Sequence, residues 1–168
     1  MPTFLVQQGV EIAKSLTFTT VMSLGGPVGA LVGLAVADRF GRKPVAVVTS
    51  LLAALFGAIY PTVSDPNLLM LVGFGMVTSL FAMIAVSFAV WVPEMFATPY
   101  RFRGAGLCGA VGRVASALVQ GVVVAAFAKG GVGLVVSIMV GMLVLQAVVV
   151  GLFGPETRHQ SLEALEPA

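Results

Sequence analysis

The chain alternates long apolar runs with short knots of charge and turn residues. Five runs stand out, at 16–37, 45–60, 68–92, 105–128 and 132–153. Each approaches or exceeds the roughly 20 mostly apolar residues that a helix needs to cross a bilayer, the second only just. The breaks carry turn chemistry. Asp38 to Pro44 is charged and holds a glycine, Pro61 to Asn67 places Pro66 after Asp65, and Gly130-Gly131 separates the last two runs. In hydrocarbon every backbone polar group must be bonded within its own segment, and none of these runs shows the two-residue alternation of a barrel strand. The pattern predicts an all-α integral membrane protein of about five transmembrane helices, forming one membrane domain over 1–168 with a tail at 154–168.

Composition excludes the soluble alternatives. With 58% hydrophobic and 10% charged residues and a mean hydropathy of +1.05, a water-soluble fold could not hide its apolar surface. A net charge of +2, dispersed along the chain, gives no footprint for nucleic acid. Cys108 is the single cysteine and says nothing about redox compartment. Met1 to Lys14 lacks the basic leader, short apolar core and small-residue cleavage site of a signal peptide, so insertion is expected to rest on the spans themselves.

Basic residues flanking spans stay on the cytoplasmic side. Arg39, Arg42, Lys43, Arg101, Arg103 and Arg158 fall on one set of connections, against Lys14 and Lys129 on the other. This predicts an outside N-terminus and an inside tail, in a multi-pass protein of the cell (plasma or inner) membrane. In the first span Gly25, Gly29 and Gly33 recur at fourfold spacing, leaving one face almost bare backbone against which another helix can pack. Pro27 in the same stretch leaves open a hinge reading.

The first inner connection, Asp38-Arg39-Phe40-Gly41-Arg42-Lys43-Pro44, squeezes four charges into a short turn. Asp38 sits at a helix C-terminus, where the dipole disfavours an anion, so a cation or another helix's N-terminus is expected to compensate it. Gly41 suits a positive φ, and Pro44 suits the start of the next helix. The third connection, Pro93 to Gly104, holds Glu94, Arg101 and Arg103 on the same side. Arg113 lies roughly 13 Å beyond Gly104 inside the fourth span. An intramembrane arginine needs a partner or a water-filled path. Two readings stand: a charge cluster of Asp38, Arg42, Glu94, Arg101 and Arg113, or Arg113 snorkelling alone to the headgroups.

These residues resemble the major facilitator superfamily. Asp38-Arg39, Gly41 and Arg42-Lys43 match its D-R-x-G-R-[RK] turn, and Pro93-Glu94-Met95-Phe96 with Arg101 or Arg103 and Gly104 is similar to its P-E-[ILM]-F-P-T-x-x-R-x-x-G segment. Gly112-Arg113 matches the G-R of helix eleven, and Pro155-Glu156-Thr157-Arg158 before Ser161-Leu162-Glu163 is similar to the ending of sugar porters and metabolite:proton symporters. The four motifs occur in order and cover nearly the whole chain. The resemblance implies helices eight to twelve of a twelve-helix fold, the C-terminal half, with Pro2-Thr3-Phe4-Leu5 resembling the outer end of helix seven. It also implies that solute binds between two halves and is exposed alternately to each side. Departures are His159 in place of Gly and Ala97 in place of Pro. Gln7-Gln8 and Trp91 stand at other spacings than their sugar-porter counterparts, which leaves an organic acid open beside a sugar.

The expected function is ion-coupled transport of a small organic solute by alternating access, with an N-terminal half as partner. Gln120, Ser23 and Ser116 are the candidate solute contacts, with Thr19, Ser79 and Ser87 behind them. No carboxylate lies in the middle of a span, so proton coupling would reside in the other half. The alternatives are a transport-inactive truncated fragment, a homodimeric half-transporter or a helical membrane scaffold. An enzyme is not expected: the one histidine, His159, lies in the tail, and no serine sits in a G-x-S-x-G motif. One Cys and one His offer no metal site, and no cofactor is implied.

Overall fold

The computed structural model describes residues 12–156. Lys14's side chain, Arg158, His159, the Ser161-Leu162-Glu163 run and the N-terminal residues matched to helix seven lie outside the described residues. Helix α1 spans Ile12–Phe40 and α2 spans Arg42–Ile59. After a 3-10 turn at Tyr60–Thr62 comes α3, Pro66–Ile84, which continues through a π-helical stretch, Ala85–Trp91, to Val92–Glu94. Helix α4 spans Arg101–Phe153 and follows a second 3-10 turn at Thr98–Tyr100. The described helices include four candidate spans long and apolar enough to cross a membrane.

The last of these is two arms. A continuous helix of that length would extend about 80 Å at 1.5 Å per residue, far beyond a hydrocarbon core of roughly 30 Å. Gly131 breaks it with φ 61° and ψ −154°, angles that glycine adopts freely. The chain reverses there. A Cβ at Gly104, near the start of the first arm, would fall on the Phe96 ring, and Pro155, just past the second, accepts a hydrogen bond from Trp91. Both ends of α4 thus meet the same connection, and the first arm (101–130) and second arm (132–153) run antiparallel.

Small residues set the closest packing. A Cβ built on Gly25 would lie 2.8 Å from Thr78 Oγ1, and one on Gly33 would lie 2.7 Å from Ala82 Cα. One on Gly29 would fall on the Thr78 carbonyl oxygen. The glycine face of α1 therefore lies directly on α3. Helix α2 offers Ala46, Ala53 and Ala54 to its neighbours, all at or below 5% exposure, and packs on α3 and on the second arm of α4. Met22, Tyr60, Val63, Leu69 and Val72 fill one end of the bundle, while Ala37, Val45 and Val86 fill the charged end.

Several hydroxyl groups within the helices are satisfied locally. Thr20, Ser23, Ser50, Thr78, Ser79 and Ser137 each donate to the carbonyl four residues earlier. Such back-bonding removes the cost of a bare hydroxyl in an apolar medium. Asp65 caps α3, accepting from the Asn67 and Leu68 backbone N–H groups. The apolar runs understate the helices at the charged turn. Asp38 to Phe40 continues α1 and α2 begins at Arg42, before Pro44, so the connection shrinks to Gly41 alone.

Candidate functional site

Gly41 carries the whole reversal between α1 and α2, at φ 104°. Its N–H donates to the Ala37 carbonyl, which closes the end of α1. A side chain there would be strained by that φ, and a Cβ would also lie 2.7 Å from Glu156 Oε2. Two demands, backbone conformation and room for a carboxylate, fall on one residue.

The turn aims Arg42 back beneath α1. Its Nε donates to Glu94 Oε2 at 3.2 Å and its Nη2 to Glu94 Oε1 at 3.0 Å, a fork on a carboxylate. Nη2 also lies 3.4 Å from Asp38 Oδ1, and Nη1 donates to the Ala37 carbonyl at 3.3 Å. The guanidinium thus meets the negative end of the α1 dipole and the anion stranded there. Arg42 and Glu94 side chains are 16% and 24% exposed, whereas Asp38 is 74% exposed. The Glu94 pair is therefore the stronger contact, and the Asp38 pair is weakened by solvent.

A second carboxylate serves the other helix end. Glu156 Oε1 accepts from the Arg42 backbone N–H at 3.0 Å, and Oε2 accepts from the Lys43 N–H at 3.2 Å. Helix α2 has no side-chain cap from its own N-cap residue, so Glu156 satisfies donors that would be orphaned and adds negative charge at the positive end of the dipole. Trp91 Nε1 donates to the Pro155 carbonyl at 3.0 Å, which holds the segment carrying Glu156 against the end of α3. The Val92 N–H bonds to the Ser87 carbonyl five residues back, the π spacing that turns Trp91 to this position.

The structure thus brings together Asp38, Gly41, Arg42, the Lys43 backbone and Glu94, and adds Glu156. It does not bring in the remaining arginines. Arg39 and Arg103 are exposed. Arg101 is half-buried, with Nε and Nη2 buried and no hydrogen-bond partner among the described residues. Arg113 is exposed and bonds to none of the described acids, so the five-residue cluster expected with it does not form. The reason is reach: Arg113 stands about 18 Å along the first arm from Arg101, too far for its side chain to return to Glu94. Ser116 and Gln120 are exposed on the same arm, and Ser23 is exposed on α1 with its hydroxyl bonded to Thr19. Gln146 bridges helices instead, donating to Met83 Sδ at 3.1 Å and to Ser50 Oγ at 3.5 Å. No group of three metal-ligating side chains occurs among the described residues.

Among the described residues, an all-helical bundle of membrane-spanning length with charged side chains gathered at one end is the architecture of a multi-pass membrane protein. The chain belongs to the sugar (and other) transporter family, whose sequence profile matches residues 6–168. That family consists of transporters, not enzymes. The inner membrane metabolite transport protein YdjE of Escherichia coli (strain K12) is 32% identical over 165 residues, covering 98% of this chain and 36% of that protein. The putative metabolite transport protein YdjK of the same organism is 30% identical over the same shares. The putative metabolite transport protein YyaJ of Bacillus subtilis (strain 168) is 30% identical over 114 residues, 67% of this chain and 25% of that protein. The chain thus spans about a third of the length of the curated relatives it matches. No solved structure matches it.

Proposed function

We propose that the chain is the C-terminal part of a transporter that moves a small organic solute, an organic acid or a sugar-like metabolite, across the inner membrane by alternating access. It works with an N-terminal half, and any ion-coupling carboxylate belongs to that half. The names of the relatives, metabolite transport proteins in each case, support this reading. The observation that carries it is the Arg42 hub. Ties among α1, α2, the end of α3 and the segment after α4 make these ends one rigid unit, able to rock as a body against the other half. Such a unit is what a transporter needs on the face that closes and opens.

The five apolar runs each cross the membrane once in this reading, with the hub on the cytoplasmic side. Single cysteines at Ser64 and Ser161, in a Cys108→Ser background, are expected to label from opposite faces of intact cells. Labelling of both from outside rejects the orientation. The function itself is tested by uptake into proteoliposomes holding the full-length transporter. Accumulation of a small organic solute, absent from empty liposomes, is expected; a folded protein that moves none of a broad metabolite panel overturns the proposal.

A further inference from the structure

We infer that the first arm of α4 carries a solute-binding stripe, Arg113-Ser116-Gln120, and that the solute it selects is a small organic anion held through its carboxylate by Arg113. The inference rests on the transport reading above and names the substrate class of that site.

The arm has three distinct faces. One is turned toward the second arm: a Cβ at Gly112 would lie 4.0 Å from Phe88, and Val119 and Val123, both exposed, line an open groove of about 570 Å³ shared with Met139 and Leu143. A second is purely aliphatic, with Leu107, Val111, Val114 and Leu118 exposed by 62% to 70%. Such a row suits acyl chains. The third is polar. Gly109, Arg113, Ser116 and Gln120 fall within about 60° of one another at roughly 100° per residue, and all three polar side chains stand exposed. No atom lies within 4 Å of where a Gly109 Cβ would be, so the stripe is open beside Arg113 as well.

Position gives this face its meaning. Arg113 is about 18 Å from the start of an arm about 45 Å long, which puts it near the middle of a hydrocarbon core of roughly 30 Å. A guanidinium at that depth is disfavoured unless it faces water or an anion. Within the chain it has neither Asp38 nor Glu94, both engaged by Arg42. A polar stripe set apart from the aliphatic row, at the depth where transporters hold solute, is a path wall. Guanidinium and carboxylate match as a two-pronged pair. Gln120, about 10 Å further along the axis, offers a donor and an acceptor to the far end of a solute of a few carbons, with the Ser116 hydroxyl between.

The test is uptake by the full-length transporter in proteoliposomes, with labelled small mono- and dicarboxylates beside hexoses and polyols. Carboxylate uptake without hexose uptake is expected. Arg113→Gln should raise KM for the carboxylate about 10- to 100-fold, Arg113→Lys should retain part of the affinity, and Gln120→Ala should raise KM less. Two results overturn the inference while leaving transport intact: uptake of a neutral sugar or polyol alone, or carboxylate uptake whose KM is unchanged in Arg113→Gln. A fall in maximal rate alone in Arg113→Gln likewise overturns it, by assigning the arginine to an acid of the N-terminal half. Absence of uptake for every probe by a folded protein removes the transport reading as well.

Discussion

Gly29→Leu is expected to prevent assembly of the bundle. A Cβ at this position falls on the carbonyl oxygen of Thr78, which is backbone held within α3 and has no rotamer through which to retreat. The neighbouring contacts at Gly25 and Gly33 fix the two helices over two turns, so the strain has no nearby slack. Overpacking a tight interface commonly costs about 1–3 kcal/mol, and more where the obstacle is backbone. The helices must separate or the protein must unfold. Gly141 provides the control, since nothing lies within 4 Å of its Cβ position. Gly141→Ala should leave stability unchanged or raise it by up to about 1 kcal/mol through helix propensity. Thermal unfolding in detergent, followed by size-exclusion chromatography, decides the matter. A Gly29→Leu protein that melts like its parent would show that α1 and α3 do not pack through this face.

The second large effect concerns the hub. Glu94→Gln leaves the half-buried guanidinium of Arg42 with a neutral partner on one side and a mostly exposed Asp38 on the other. A hydrogen bond to a charged group contributes about 1.5–3 kcal/mol, equivalent to about 10- to 100-fold in a conformational equilibrium. In the proposed reading that loss loosens the unit in which the ends of α1, α2 and α3 move together. Uptake by the full-length transporter should therefore slow by about that factor with KM little changed. Glu156→Gln should act in the same direction through the α2 N-terminus, and the double variant should lose less than the product of the two, because Arg42 is common to both. Asp38→Asn should cost least, given its exposure. Wild-type uptake in Glu94→Gln, or strict additivity, would reduce the hub to a packing feature.

Much of the architecture was readable because membrane helices announce themselves by composition. The runs at 45–60 and 68–92 correspond to α2 and to α3 with its extension. Their ends were less legible, since charged residues such as Asp38, Arg39 and Arg42 remain helical wherever a bundle satisfies them. Gly41 stood out as a turn residue because few other signals in the chain demand positive φ. The pairing of Arg42 with Asp38 follows from spacing, and that with Glu94 from a shared end of the bundle. Glu156 carried a motif but no visible role, because a cap contributed from 114 residues away leaves no local pattern. Its clue was negative: α2 begins with Arg42-Lys43-Pro44 and has no acidic residue in its first turn. One of the two readings placed Arg113 in the hub because charge sign alone does not encode depth along a helix, whereas counting residues from Arg101 does.

The same long-range cap orders the events of synthesis. Arg42 leaves the ribosome 114 residues before Glu156, and at about 5–20 residues per second that interval is roughly 6–23 s. Throughout it α2 is already made and its first N–H groups have no carboxylate to meet. The turn at Gly41 therefore receives its carboxylate cap only after α3 and both arms of α4 have been made. A chain interrupted before Glu156 would keep the Arg42–Glu94 pair and lack the cap on α2.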